Sequence, residues 1–171
     1  MRAFIAIEIP FNSRIGELQD SIDGRVKLVE RENMHITLKF LGDVDEKLLE
    51  KIETIIGSCR VEPFTLNLKG VGFFPNERYV RVIWVGVENW EPVVKMAKCI
   101  DEKLNSLGFK KERDYTPHLT IARAKGPVRI KNLDKFVGME FGSVDVREVK
   151  IKKSTLTPSG PIYEDVFVIQ L

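Results

Sequence analysis

The sequence predicts an α+β fold: two related, pseudo-symmetric lobes, each a mostly antiparallel sheet with helices on the outside, sharing a central groove. Three observations predict it. Strand-like patterns dominate the chain and are interrupted by two long amphipathic helical patterns. The order of a helix on either side of a histidine-bearing strand recurs. The phrase His-x-Thr occurs twice, at His35 and His118, 83 positions apart, which is close to half of the 171 residues.

The elements follow in order. RAFIAIEI (2–9) is apolar and alternating and is bounded by Pro10, so it reads as a strand. Asn12 or Ser13 caps a short helix reaching Ile22. VKLV and HITLKFLG are strands. DVDEKLLEKIETIIG is an amphipathic helix with Leu48, Leu49, Ile52, Ile55 and Ile56 on one face and Gly57 at its end. FTLNLKGVGFF and YVRVIWVGV pair around a Pro75-Asn76 turn. A second helix starts near Trp90-Glu91-Pro92, buries Val93, Val94, Ala97, Ile100, Leu104 and Leu107, and ends before Gly108. PHLTIARA is a strand, 132–137 is a short helix or loop, and FGSVDVREVKIKKSTL and IYEDVFVIQL are two long strands.

Composition sets broad limits. Apolar residues make up 43% and charged residues 30%, the balance of a soluble globular domain. No linker or low-complexity stretch divides it, so 1–171 reads as one domain. The net charge of +2 announces no nucleic-acid binder, and any basic site depends on local placement of Lys and Arg. MRAFIAIEIP is too short and too strand-like for a signal peptide, and no apolar run approaches 18 residues. A cytoplasmic monomer with no membrane contact is expected. Glutamine occurs only at Gln19 and Gln170 while Lys, Arg and Glu are plentiful, which leans toward a heat-adapted source. Cys59 and Cys99 have no CxxC spacing and no histidine near them, and read as two reduced, largely buried thiols; a disulfide, as in a hyperthermophile, is the alternative that sequence does not decide.

The chemistry rests on the repeated phrase. Residues two apart on a strand share a face, so strict alternation groups His35, Thr37 and Lys39, and groups His118 with Thr120. Imidazole titrates near neutrality, and the threonine hydroxyl is a stiffly held donor to an anionic oxygen. Two such patches facing each other suit in-line displacement at phosphorus, one histidine taking a proton and the other giving one. A lone strand histidine is usually a half-buried structural residue. With seven threonines in 171 positions, both histidines meet threonine at +2 by chance only about once in 600. Two histidines without a third ligand at metal spacing give thin support for a metal site.

HITL and HLTI resemble the paired motifs of the 2H phosphoesterase superfamily. HITLKFLGD, KGVGFFPN, RVIWVGV, TPHLTIAR and KSTLTPSGPIYE, in that order, are similar to the RNA 2′,3′-cyclic phosphodiesterases, formerly called 2′-5′ RNA ligases. The resemblance spans nearly the whole chain. It implies a bilobal fold with a pseudo-twofold groove, no cofactor and no required metal. It also implies hydrolysis of 2′,3′-cyclic phosphate ends of RNA or nucleotides to 2′-phosphates. His35 would be the general acid and His118 the general base, with Thr37 and Thr120 beside them.

Around this core the alternatives stay open. Arg123 alternates away from His118, so it meets a phosphate only where the strand bends, and otherwise makes a surface ion pair. Lys39 either enters the groove or is an exposed strand lysine. Arg81 either contacts phosphate or ribose or caps a sheet edge. Of Phe73 and Phe74, one faces out of the hairpin mouth; Phe74 either stacks on a base or packs in the core. Tyr115 lies three residues before His118 and lines the same mouth. Trp84 reads as core, and KIKKST either meets an RNA backbone or, by default, is a solvated strand face. Two rival functions remain: 2′-5′ ligation of RNA halves, the same chemistry reversed, and an RNA- or nucleotide-binding module without catalysis. Binding alone would not need two proton-transfer groups, which argues against the second.

Overall fold

The computed structural model describes residues 1–171. Nine strands form one curled antiparallel sheet: β1 (Arg2–Glu8), β2 (Ile22–Leu28), β3 (His35–Asp43), β4 (Phe64–Asn76), β5 (Tyr79–Val87), β6 (His118–Ile130), β7 (Glu140–Val146), β8 (Glu148–Thr157) and β9 (Gly160–Gln170). Four helices accompany them: α1 (Ser13–Asp20), α2 (Leu49–Ser58), α3 (Glu91–Asn105) and α4 (Leu133–Val137). The strand order is β7-β4-β5-β6-β3-β1-β8-β9, with β2 also paired to β6.

The sheet divides at its centre. Strands β3 and β6 meet through a single residue pair, Ile36 opposite Leu119. One lobe is β3-β1-β8-β9, covered by α2 and α3; the other is β6-β5-β4-β7 with β2, covered by α1 and α4. Local signals explain where the helices sit. The Asn12 side chain accepts from the Arg14 and Ile15 amides and caps α1, and Pro92 stands in the first turn of α3, where its missing N–H costs nothing. Helix α3 buries Val93, Met96, Ala97, Ile100 and Leu104, and α2 buries Leu49, Ile52 and Ile56, all within one core cluster of 34 buried residues. Gly108, just beyond α3, has φ +94, a conformation that side chains rarely adopt.

Some boundaries differ from the sequence reading. The helix expected from Asp43 starts at Leu49, because β3 runs to Asp43 and a single 3₁₀ turn fills Glu46–Leu48. The stretch read as one strand over 141–156 is two, broken at Arg147.

The cysteines are also different from expectation. Cys59 caps the end of α2 and Cys99 lies within α3, and their sulfurs are joined. The bond closes a sequence separation of 40, and its partners meet only because two helices pack side by side on one lobe. Closing a loop of that length is worth about 4 kcal/mol in the chain-entropy account. Cys99→Ser, or a reductant, lowers the unfolding free energy by up to this amount in guanidinium denaturation. Turnover at 25 °C stays unchanged, because both residues lie on the helix side of the sheet.

Candidate active site

Each histidine opens its strand, β3 or β6, and each is held in the same way. His35 Nδ1 is 2.7 Å from the Asn33 carbonyl, and His118 Nδ1 is 2.7 Å from the Thr116 carbonyl. A carbonyl only accepts, so Nδ1 carries the proton in both rings and Nε2 keeps its lone pair free. The segments before the strands therefore fix tautomer and ring orientation together.

The pair Ile36–Leu119 joins equivalent positions of the two phrases, offset by the same 83 residues as the histidines. The local twofold axis thus passes between the phrases. Antiparallel order then sets His35 toward Thr120 and Thr37 toward His118. All four side chains are half-buried.

Burial pulls both imidazoles below their usual pKa. At His35 the charges of Lys152, Arg123 and His118 add to this effect, and at His118 that of Arg123 does; the backbone carbonyl at each Nδ1 opposes it. One cation, Arg123, is therefore felt at both rings.

Aromatic rings wall each histidine. Phe4 lies 4.8 Å and Tyr163 5.4 Å from the His35 ring, the latter edge-on. Phe74 lies 4.9 Å edge-on and Trp84 5.8 Å from the His118 ring. Trp84 faces Thr120 across β5–β6, so it belongs to the groove, not to the deep core as expected. Its ring lies on Gly72, where an added Cβ would meet the indole at 2.1 Å.

Two β-bulges decide which neighbours join the site. Between β1 and β3, Thr37 opposes Ala6 but Lys39 opposes Ile5, leaving Leu38 unpaired. Between β5 and β6, Thr120 opposes Trp84 but Ala122 opposes Ile83, leaving Ile121 unpaired. Each bulge sits three residues after its histidine and reverses the alternation beyond it. Arg123 thereby comes to the histidine face of β6 and Phe40 to that of β3. Lys39 turns the other way. Its expected place in the groove is corrected: it is 3% exposed, with Nζ 2.5 Å from Asp101 Oδ1 and 2.6 Å from the Lys110 carbonyl.

The other expected contacts are redistributed. Arg81 is left unpaired where the β4–β5 register shifts between Phe74–Val82 and Pro75–Val80; it is exposed and donates to the Tyr79 hydroxyl at 3.0 Å. Tyr115 does not offer its hydroxyl to the mouth; it donates to the Thr37 carbonyl at 2.8 Å and ties the segment before His118 to β3. Burial and then the nearby Glu112 charge push that phenol above its usual pKa. Phe74 lies against His118. KIKKST is not a solvated face throughout: Lys152 is 5% exposed, pairs with Glu8, and lies 3.1 Å from Asp165. Sequence reasoning missed Tyr163, Phe4 and Lys152 because their strands pair with residues far away in the chain. No three His, Cys, Asp or Glu side chains converge to hold a metal ion, and no helix is long and apolar enough to cross a membrane.

Two successive segments of the chain, 6–84 and 85–163, match the LigT like phosphoesterase model. The chain belongs to the LigT-like phosphoesterase family. Curated members of this family include proteins named RNA 2′,3′-cyclic phosphodiesterase. That of Methanothermobacter thermautotrophicus is 44% identical, over 100% of this chain and 99% of its own. That of Methanocaldococcus jannaschii is 47% identical, over 96% of this chain and 97% of its own. A crystal structure of a Thermus thermophilus protein superimposes with a TM-score of 0.84 at 28% identity, covering 100% of this chain and 98% of that one. E. coli LigT complexed with 3′-AMP gives 0.81 at 26% identity, covering 99% and 97%. The LigT-like phosphoesterase frame accounts for the halved sheet and the repeated strand.

Proposed function

We propose that the protein hydrolyses 2′,3′-cyclic phosphate ends of RNA or nucleotides and leaves 2′-phosphates. The observation that carries the reading is the matched pair of imidazoles, each with Nδ1 spent on a backbone carbonyl and Nε2 free, on either side of a local twofold axis. The activity named for relatives at 44% and 47% identity over almost the whole chain supports the same reading.

In this mechanism His118 Nε2 takes a proton from water as the water oxygen bonds to phosphorus. The P–O3′ bond breaks, and O3′ takes the proton carried by His35 Nε2. Family resemblance assigns these two roles. Thr37 and Thr120 donate hydrogen bonds to the non-bridging oxygens and Arg123 balances their charge. Phe74 and Trp84 offer a wall for the base. The proton transfers and the charge balance all come from side chains, so turnover is metal-independent.

The test is product analysis of a short RNA with a 2′,3′-cyclic phosphate end, incubated in EDTA. A 2′-phosphate product at an undiminished rate is expected. A 3′-phosphate product overturns the bond assignment, and loss of turnover in EDTA with recovery on Zn²⁺ or Mn²⁺ makes the histidines ligands.

A further inference from the structure

Beyond Arg123, strand β6 leaves the central sheet and continues with β2 as a two-stranded ribbon. The pairs are Lys27–Arg123, Val26–Ala124, Gly24–Val128, Asp23–Arg129 and Ile22–Ile130. One face of this ribbon packs inward through Val26, Val128 and Ile130. The other is exposed and carries Lys27, Arg25, Arg123, Lys125 and Arg129. Within the two paired strands the one carboxylate opposed to these five cations is that of Asp23, which Lys131 holds at 3.6 Å. The ribbon's excess of positive charge is twice the net +2 of the whole chain.

Most of this charge is uncompensated. Lys27 meets Glu30 at 3.5 Å, while Arg25, Arg123, Lys125 and Arg129 are exposed and make no ion pair. Like charges gathered on one face repel each other unless an anion covers them. The row begins in the groove, since Arg123 acts on both histidines and on Tyr163. From Arg123 to Arg129 it extends about 20 Å at strand spacing, longer than one nucleotide.

We propose that the exposed face of the β2–β6 ribbon is the track for the sugar–phosphate backbone on the 5′ side of the cyclic end. The inference rests on the hydrolysis reading above and sharpens its substrate: a polynucleotide, with a mononucleotide as the lesser one. A cyclic phosphate closes the 3′ end of an RNA strand, so the rest of the strand can leave the groove in one direction only. Arg123, at the groove's edge, is where the ribbon takes it up. Flexible lysine and arginine side chains on a solvated strand contact phosphates without reading sequence. Preference is therefore for length, not for base order.

The experiment compares wild type with the triple variant Arg25→Gln, Lys125→Gln, Arg129→Gln. All three side chains are exposed, and an unchanged Tm verifies the fold. Hydrolysis is measured on a nucleoside 2′,3′-cyclic phosphate and on a ten-nucleotide RNA ending in the same group. Binding of the same fluorescein-labelled RNA is read separately by anisotropy, from 50 to 300 mM salt.

The variant is expected to bind the RNA about tenfold more weakly or worse, and to lose about two from the slope of log K against log salt. Its parameters on the nucleoside substrate stay those of wild type. Equal binding by variant and wild type, or equal loss on both substrates, overturns the track. So does binding of poly-glutamate of matched charge more tightly than the RNA, which would assign the face to acidic proteins. A wild type that binds RNA through these residues yet hydrolyses neither substrate sinks the hydrolysis reading and leaves the track standing.

Discussion

Replacing His118 or His35 by alanine lowers kcat by about 10²–10⁴ each, the usual contribution of a positioned acid or base. The double variant is little worse than the worse single one, because the two rings act in one relay. The pH profile carries the sharper test. The proposed relay needs one imidazole neutral and the other protonated, so both kcat and kcat/KM are expected to follow a bell. In the free protein, burial, Arg123 and, at His35, Lys152 disfavour both imidazolium forms. The bell in kcat/KM, which reports the free enzyme, is therefore centred below the usual imidazole pKa. A phosphodiester anion between the rings favours the charged form, so the bell in kcat lies at higher pH. Profiles that coincide would remove the anion from between the histidines, and a flat profile from pH 5 to 9 with chemistry rate-limiting would remove the relay.

The same shifts act on stability, with a definite sign. A folded-state imidazole pKa below the unfolded one means that the unfolded chain binds more protons as pH falls through the unfolded value. This contribution to stability is fully present above that value and is lost as pH falls toward the folded pKa.

Lys39→Met destabilises the fold by about 3 kcal/mol and lowers kcat well beyond what unfolding explains. The change leaves Asp101, whose side chain is 14% exposed, without its cation, and stranding one member of a buried pair costs about 3–5 kcal/mol. Asp101 also accepts from the Glu112 amide at 3.2 Å, and Lys39 itself holds the Lys110 carbonyl. With Tyr115 on the Thr37 carbonyl, these bonds anchor the segment that delivers His118 onto the strand that carries His35. Loosening them misaligns the two imidazoles while the phosphate contacts remain, so kcat falls and KM changes little. Equal changes in kcat and KM, or a loss of Tm with no loss of turnover in the folded fraction, would reduce Lys39 to a packing residue. Guanidinium denaturation and steady-state kinetics on the same sample read both effects.

The sequence carried the grouping of four side chains at the centre of the candidate site but not the residues around them, and the difference has a physical basis. His35, Thr37, His118 and Thr120 were legible because a repeated phrase and a period of two are local properties. Lys39 and Arg123 exchanged faces because a bulge depends on the partner strand, which periodicity does not contain. Tyr163 and Phe4 approach His35 from strands β9 and β1, so strand order, which links residues far apart in the chain, brings them together. Cys59 and Cys99 were misread for a related reason: a pairing across 40 residues requires knowing which helices are neighbours. The helices themselves were legible from their apolar faces, and their starts were displaced only where β3 ran longer than its apolar alternation suggested.

The arrangement of helices reaches further than the site. Helix α1 follows β1 in the chain but covers the opposite lobe, α3 follows β5 and crosses back, and β8 and β9 return to the lobe of β1 and β3. The two matched segments, 6–84 and 85–163, are thus not the two lobes; each lobe is woven from both. Neither segment expressed alone contains a complete hydrophobic layer, and a ribosome that has released only the first has made no half-enzyme.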